Sequence, residues 1–115
     1  MEITHMLKMY ILIKDTCPDQ IAPLIASHAA VGAYRQFDKS PMMQAWISSI
    51  YFPKVICKVT PEEFEAAKCA GQYYTITEHR HQDYGELGMA FNIKSEYPKN
   101  FKYLKLWKPG GSDGK

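Results

Sequence analysis

The chain opens its hydrophobic pattern with a compact apolar run between charges, Lys8 to Lys14, KMYILIK. Its length and β-branching predict a buried strand. After the turn DTCPDQ comes Ile21 to Phe37, IAPLIASHAAVGAYRQF, the one long helical pattern with almost no charge. Only Arg35 is charged there, and His28 sits in the middle. A helix that is apolar nearly all round is buried on more than one side, so this one is expected to lie against a sheet and under a second element. Asp19 is the expected N-cap, and Pro23 is tolerable only in the first turn. Ser27, Ala29, Ala30, Gly32 and Ala33 would let another backbone approach. Glycine in mid-helix costs about 1 kcal/mol against alanine, so Gly32 marks close packing or a ligand wall.

Pro41 to Ser49 predicts a second, short helix, with Met42, Ala45, Trp46 and Ser49 on one face. Lys54 to Val59 reads as a strand with Val55, Cys57 and Val59 on one side. Thr60-Pro61-Glu62-Glu63 is a strong helix start: Thr60 caps, Pro61 takes the first position and Glu63 closes a capping box. That helix is predicted to run to about Ala70, where Gly71 ends it. Tyr73 to Glu78 is a third strand, residues 79–88 a polar loop, and Met89 to Lys94 a fourth strand. Pro98 to Trp107 predicts a last helix with Lys99, Lys102 and Lys105 facing away from Phe101, Leu104 and Trp107. The order β-α-α-β-α-β-β-α predicts an α/β fold: a single-domain, three-layer sandwich around a mixed four-stranded sheet over residues 1–108, with 109–115 a flexible tail.

Composition adds little to this picture. The 115 residues suffice for one core, and a net charge of +2 does not by itself imply nucleic acid. The charge is uneven, however: six lysines between Lys94 and Lys115 face only Glu96 and Asp113. Cys17, Cys57 and Cys69 are odd in number and lack metal-ligand spacing, so a reduced setting with two of them buried is expected. No basic region leads into a long apolar run, and no stretch reaches the roughly 20 apolar residues of a membrane span. The expectation is a cytoplasmic protein with no membrane association.

Three patches in order resemble the type II (archaeal and eukaryotic) peptidyl-tRNA hydrolases: IASHAAVGAY (25–34), KVICKVTPEEFEAA (54–67) and YLKLW (103–107). The last patch, within YPKNFKYLKLWK, is similar to the tail of the divergent branch of peptidyl-tRNA hydrolase domain-containing proteins. The resemblance covers roughly residues 8 to 108. It implies hydrolysis of the ester between a peptide, or an aminoacyl group, and tRNA. The family's mechanism is associated with a lysine opening the first helix, an aspartate after the third strand and threonines beyond it. Aligned on His28, the lysine position falls on Ile21 and the aspartate position on His79, and no threonine follows Thr77. Lys14, Asp15 and His28 remain.

The candidate residues each have a plain reading beside the functional one. His28 is either a core histidine or part of a cleft. His79, His81 and Asp83, with Glu78 adjoining, could ligate zinc, but no closed ligand set is present, so no metal and no cofactor are expected. As a polar loop beside a cleft, the segment offers His79 as a general base, its ordinary pKa lying near 6.5. Lys14 holds a phosphate or simply solvates a strand end. Lys99, Lys102 and Lys105 form a solvated face or contact tRNA phosphates. Tyr34, Trp46, Tyr73 and Tyr74 are core by default, though one or two could stack a base at the cleft rim.

The expected catalytic set is therefore His79, His28 and Asp15, with Lys14, Lys99, Lys102 and Lys105 binding substrate. The site is expected where the first strand ends, the first helix begins and the loop after the third strand returns. The alternative is a catalytically degenerate module that binds a nucleotide, RNA or a protein. Met42, Met43, Trp46 and Ile47 could furnish a homodimer contact.

Overall fold

The computed structural model describes residues 7–77 and 85–109. Strand β1 (Met9–Lys14) lies in the middle of a five-stranded sheet. The chain continues through α1 (Ala22–Phe37), α2 (Pro41–Ser48), β2 (Lys54–Val59), α3 (Pro61–Ala67), β3 (Tyr73–Thr77) and β4 (Glu86–Phe91). A 3₁₀ helix (Lys99–Tyr103) leads into a two-residue strand, β5 (Lys105–Leu106). The spatial order is β3-β4-β1-β2-β5, with β1 and β2 parallel and the other pairings antiparallel.

Alternation along β1 divides the core. Met9, Ile11 and Ile13 join the α1 and α2 side, while Tyr10 and Leu12 join Phe64 of α3 and Phe101 of the 3₁₀ helix. The molecule is a mixed α/β fold with helices on both faces of one sheet. The expected four strands are five, because the last predicted helix is not α-helical. Its first half is 3₁₀, and its second half straightens so that Lys105 pairs with Lys58 and Leu106 with Cys57. The fourth strand also lies three residues earlier than expected, at Glu86–Phe91 rather than Met89–Lys94.

The local helix signals behave as their chemistry requires. Thr60 accepts from Glu63 N at 3.0 Å and Glu63 returns a bond to Thr60 N at 2.9 Å, so the capping box is complete. The helix stops at Ala67, short of the expected Ala70. Helix α1 starts at Ala22 with Ile21 as N-cap and no side-chain cap bond, so Asp19 is not its cap. A preceding turn, in which Ile21 N donates to Pro18 O at 3.1 Å, leads the chain in.

Burial on α1 corrects the expectation of a helix enclosed on several sides. Ile25, Ala26, Ala29, Gly32 and Ala33 are buried, but Leu24 and Val31 are 40% and 58% exposed. The approach to the sheet is close. A Cβ on Gly32 would lie 2.1 Å from the Tyr74 ring, and one on Gly88 of β4 would lie 2.5 Å from Ile25 Cγ2. Gly32 thus serves close packing against Tyr74. A bulge makes Leu87 an extra residue between the pairs Ile76–Gly88 and Thr77–Glu86. It sends Leu87 into the α1-side core and re-aims Glu86 to the opposite face.

Two cysteines, Cys17 and Cys57, are buried and Cys69 is exposed, as expected from the sequence. Burial pushes the Cys57 thiol up to about 11 from its ordinary 9.0. Tyr10 and Tyr97 are raised as well, chiefly by burial.

Two predictions follow from this packing. Gly88→Ala should destabilise the fold by about 1–3 kcal/mol in urea unfolding, since Ile25 is fully buried and has nowhere to move. Gly32→Ala should cost less, because the half-buried Tyr74 can swing and alanine gains about 1 kcal/mol of helix propensity. A Gly32→Ala variant less stable than Gly88→Ala would contradict this packing account. The second prediction concerns pH. A thiol whose folded pKa is raised stabilises fully below its unfolded pKa and loses that contribution as pH rises through the folded one. Stability should therefore fall from pH 9 towards about 11, and Cys57→Ala should flatten that part of the profile. An unchanged slope in Cys57→Ala would exclude this origin.

Candidate functional site

Strand β4 runs antiparallel to both β1 and β3, so β1, β2 and β3 all end at one edge of the sheet. In α/β sheets this carboxyl edge is where ligands gather. Lys14 stands there, half-buried, and its side chain takes the α3 face: Nζ lies 4.7 Å from the centroid of the fully buried Phe64 ring. Lys68 approaches the same ring at 5.6 Å. Lys68 Nζ also donates to Glu86 at 2.7 Å and to Glu65 at 3.2 Å.

The Lys68 hydrogen bond holds the Glu86 carboxyl below its ordinary range. Burial opposes this, and a Thr75 hydrogen bond and the nearby Lys14 charge reinforce it. Lys68 is raised in turn, first by its hydrogen bond to Glu86. A carboxylate held ionised in this way is a weak general base at neutral pH. Among the described residues, no carboxylate forms an ion pair with Lys14. Asp15 is exposed, and its backbone N donates to Val59 O at 2.7 Å, extending the β1–β2 ladder by one bond.

His28 does not join this group. It is exposed on α1, about 9 Å along the axis from the helix start, and α1 covers the face opposite Lys14. It is therefore neither a core histidine nor a neighbour of Lys14. His79, His81, Asp83 and Glu78 lie outside the described residues. Among the described residues no group of three or more His, Cys, Asp or Glu side chains could hold a metal ion. Sequence reasoning missed Lys68, Thr75 and Glu86. They converge only through the strand pairing and the bulge, and no local spacing signals them.

Lys99, Lys102 and Lys105 are all exposed. The threefold period of the 3₁₀ helix stacks Lys99 over Lys102. Lys105 instead lies on β5 opposite Lys58, whose Nζ donates to Lys108 O at 2.9 Å. Of the residues suggested for a homodimer contact, Met43 and Trp46 are 0% and 3% exposed, so they are core.

A second feature lies on the α1 face. A groove of about 580 Å³ has Ile11 and Ile56 as floor, α1 as one wall, and Trp46, Ile47 and Phe52 as the other. Among the described residues Lys54 is its only charged lining residue. A further hollow of about 460 Å³ lies between α3 and the 3₁₀ helix, with Glu63, Cys69 and Tyr103 on its walls. Among the described residues no helix is long and apolar enough to cross a membrane. No family model matches the chain and no curated protein matches it.

Proposed function

We propose that this chain is a divergent peptidyl-tRNA hydrolase-like protein that holds the 3′ end of an acylated tRNA at the carboxyl edge of its sheet. The observation that carries the reading is Lys14: it lies at the end of β1, 4.7 Å from the Phe64 centroid and near enough to Glu86 for its charge to act there, yet it forms no ion pair among the described residues. A lysine so placed offers a positioned cation to a phosphate, or to charge developing on an ester oxygen. The resemblance of residues 25–34, 54–67 and 103–107 to the type II enzymes supports the same substrate class.

Binding without efficient turnover is the second reading, and two observations favour it. His28 lies on the face opposite Lys14, and the Lys68 hydrogen bond lowers the Glu86 pKa and with it its strength as a base. Hydrolysis then depends on His79 as the base that activates water.

Filter binding and turnover with an N-acetylaminoacyl-tRNA test both readings on the full chain. Lys14→Ala is expected to weaken binding about tenfold through loss of one charge-assisted contact. His79→Ala should leave binding intact and lower any turnover about 10²–10⁴-fold. Full affinity and full turnover in both variants would remove the site from this edge. The basic end has its own readout. Three phosphate contacts by Lys99, Lys102 and Lys105 give a slope of about −2 to −3 in log affinity against log salt. Changing all three to glutamate without altering affinity or slope would show the lysines to be merely solvated.

A further inference from the structure

We propose that the groove on the α1 face is a binding site for an amphipathic carboxylate, a medium-chain acyl or aryl acid. Its hydrocarbon would lie on Ile56 between Val31 and Tyr34 of α1 and Ile47 of α2, and its carboxylate would meet Lys54. This site is separate from the carboxyl edge and does not rest on the tRNA reading.

The volume, about 580 Å³, is that of a small-molecule site. Its polar inventory selects the ligand. The Ser27 hydroxyl is engaged with Leu24 O at 3.1 Å and Trp46 Nε1 donates to Pro53 O at 2.9 Å, so the Tyr34 hydroxyl and Lys54 are the side-chain polar groups left to a ligand among the described lining residues. A nucleobase in this groove would bury donors and acceptors with few partners, which is costly, whereas a hydrocarbon body would not. The charged end is equally specific. Lys54 Nζ donates to Phe52 O at 2.9 Å and lies 4.5 Å from the Phe52 centroid and 5.8 Å from that of Trp46. An ammonium carries three donors, so two remain. Among the described residues no carboxylate forms an ion pair with it.

The wall that holds this lysine is strained. Phe52 has φ of 24°, a backbone region that bulky residues rarely adopt, and its ring packs edge-on to Trp46 at 5.7 Å. The surrounding charge argues against a second copy as occupant. Alternation along β2 puts Lys54, Ile56 and Lys58 on one face, and Lys105, directly opposite Lys58, shares it. A two-fold contact centred here would set lysines against lysines, whereas an anionic ligand complements them.

The test is titration of the isotopically labelled full chain with octanoate, octanol and adenosine monophosphate, followed by amide chemical shifts. Octanoate should give saturable shifts confined to the groove and bind about tenfold more tightly than octanol. Affinity should climb about fourfold per added methylene until the groove is full. Lys54→Met keeps the aliphatic stem and should bring octanoate down to the octanol level, the amide spectrum itself reporting that the fold is intact. Shifts that scatter over the surface or fail to saturate would overturn the proposal. So would equal affinities for octanoate and octanol, an unaltered octanoate affinity in folded Lys54→Met, or tighter binding of adenosine monophosphate at the same residues.

Discussion

The close seat of α1 on the sheet is the constraint from which the rest of the architecture follows. Gly32 admits the Tyr74 ring and Gly88 admits the Ile25 side chain, at distances no Cβ would tolerate. The helix is thereby held over β3, β4 and β1, the strands it packs against. A helix is about 10 Å across and strands are spaced about 4.8 Å apart, so one helix spans only two or three strands. Five strands therefore leave part of this face open. The other helix on that side, α2, has eight residues and contributes Met43 and Trp46 to the core. The groove floored by Ile11 and Ile56 is the remainder. Its existence is a consequence of helix placement, and its chemistry is set by what β2 presents there.

How much of this was legible in the sequence depended on whether the determining interaction was local. Strand β2 and the start of α3 stand where the sequence puts them, because alternation and a reciprocal cap involve residues within a few positions of one another. The pattern over residues 98–107 misled for a physical reason. Lysines at every third position suit a 3₁₀ turn as well as an α-helix, and β5 exists only through bonds to Cys57 and Lys58, far away in sequence. The β4 frame is likewise non-local. It is set by pairing of Gly88 with Ile13 and Ile76 under Ile25, while MAFNIK and ELGMAF are both plausible strands in isolation. On α1, the scarcity of charge suggested burial all round. Leu24, Val31 and His28 face solvent nonetheless, since nothing in the described structure covers that side.

The candidate site illustrates the same division. Lys14 was identifiable because it ends an apolar strand, a position read from the strand alone. Its surroundings were not, because Glu86 is turned towards Lys68 by the bulge at Leu87, and Lys68 comes from α3. A charge cluster assembled from three separated elements leaves no motif. Its electrostatics nevertheless limit the chemistry. The ion pair with Lys68 lowers the Glu86 pKa and so makes it a weaker base, while Lys14, whose charge also acts on Glu86, forms no ion pair among the described residues.

The separation of Lys14 from His28 is fixed by the core and is not a matter of side-chain choice. On β1, Lys14 shares its face with Tyr10 and Leu12, which pack with Phe64, whereas Ile11 and Ile13 pack under α1. Moving Lys14 to the α1 face would require a one-residue slip of β1, and the strand period of two would then exchange every buried side chain between the faces. The aromatic cluster of Tyr10 with Tyr97 and Phe101, at 4.7 and 5.1 Å, would be lost in the process. Rotating α1 to bring His28 inward would expose Ile25 and Ala29 and drive a larger side chain into the space that Gly32 keeps for Tyr74. Any chemistry that joins the two faces must therefore pass around the strand ends. Asp15, the first residue beyond β1, stands at such an end.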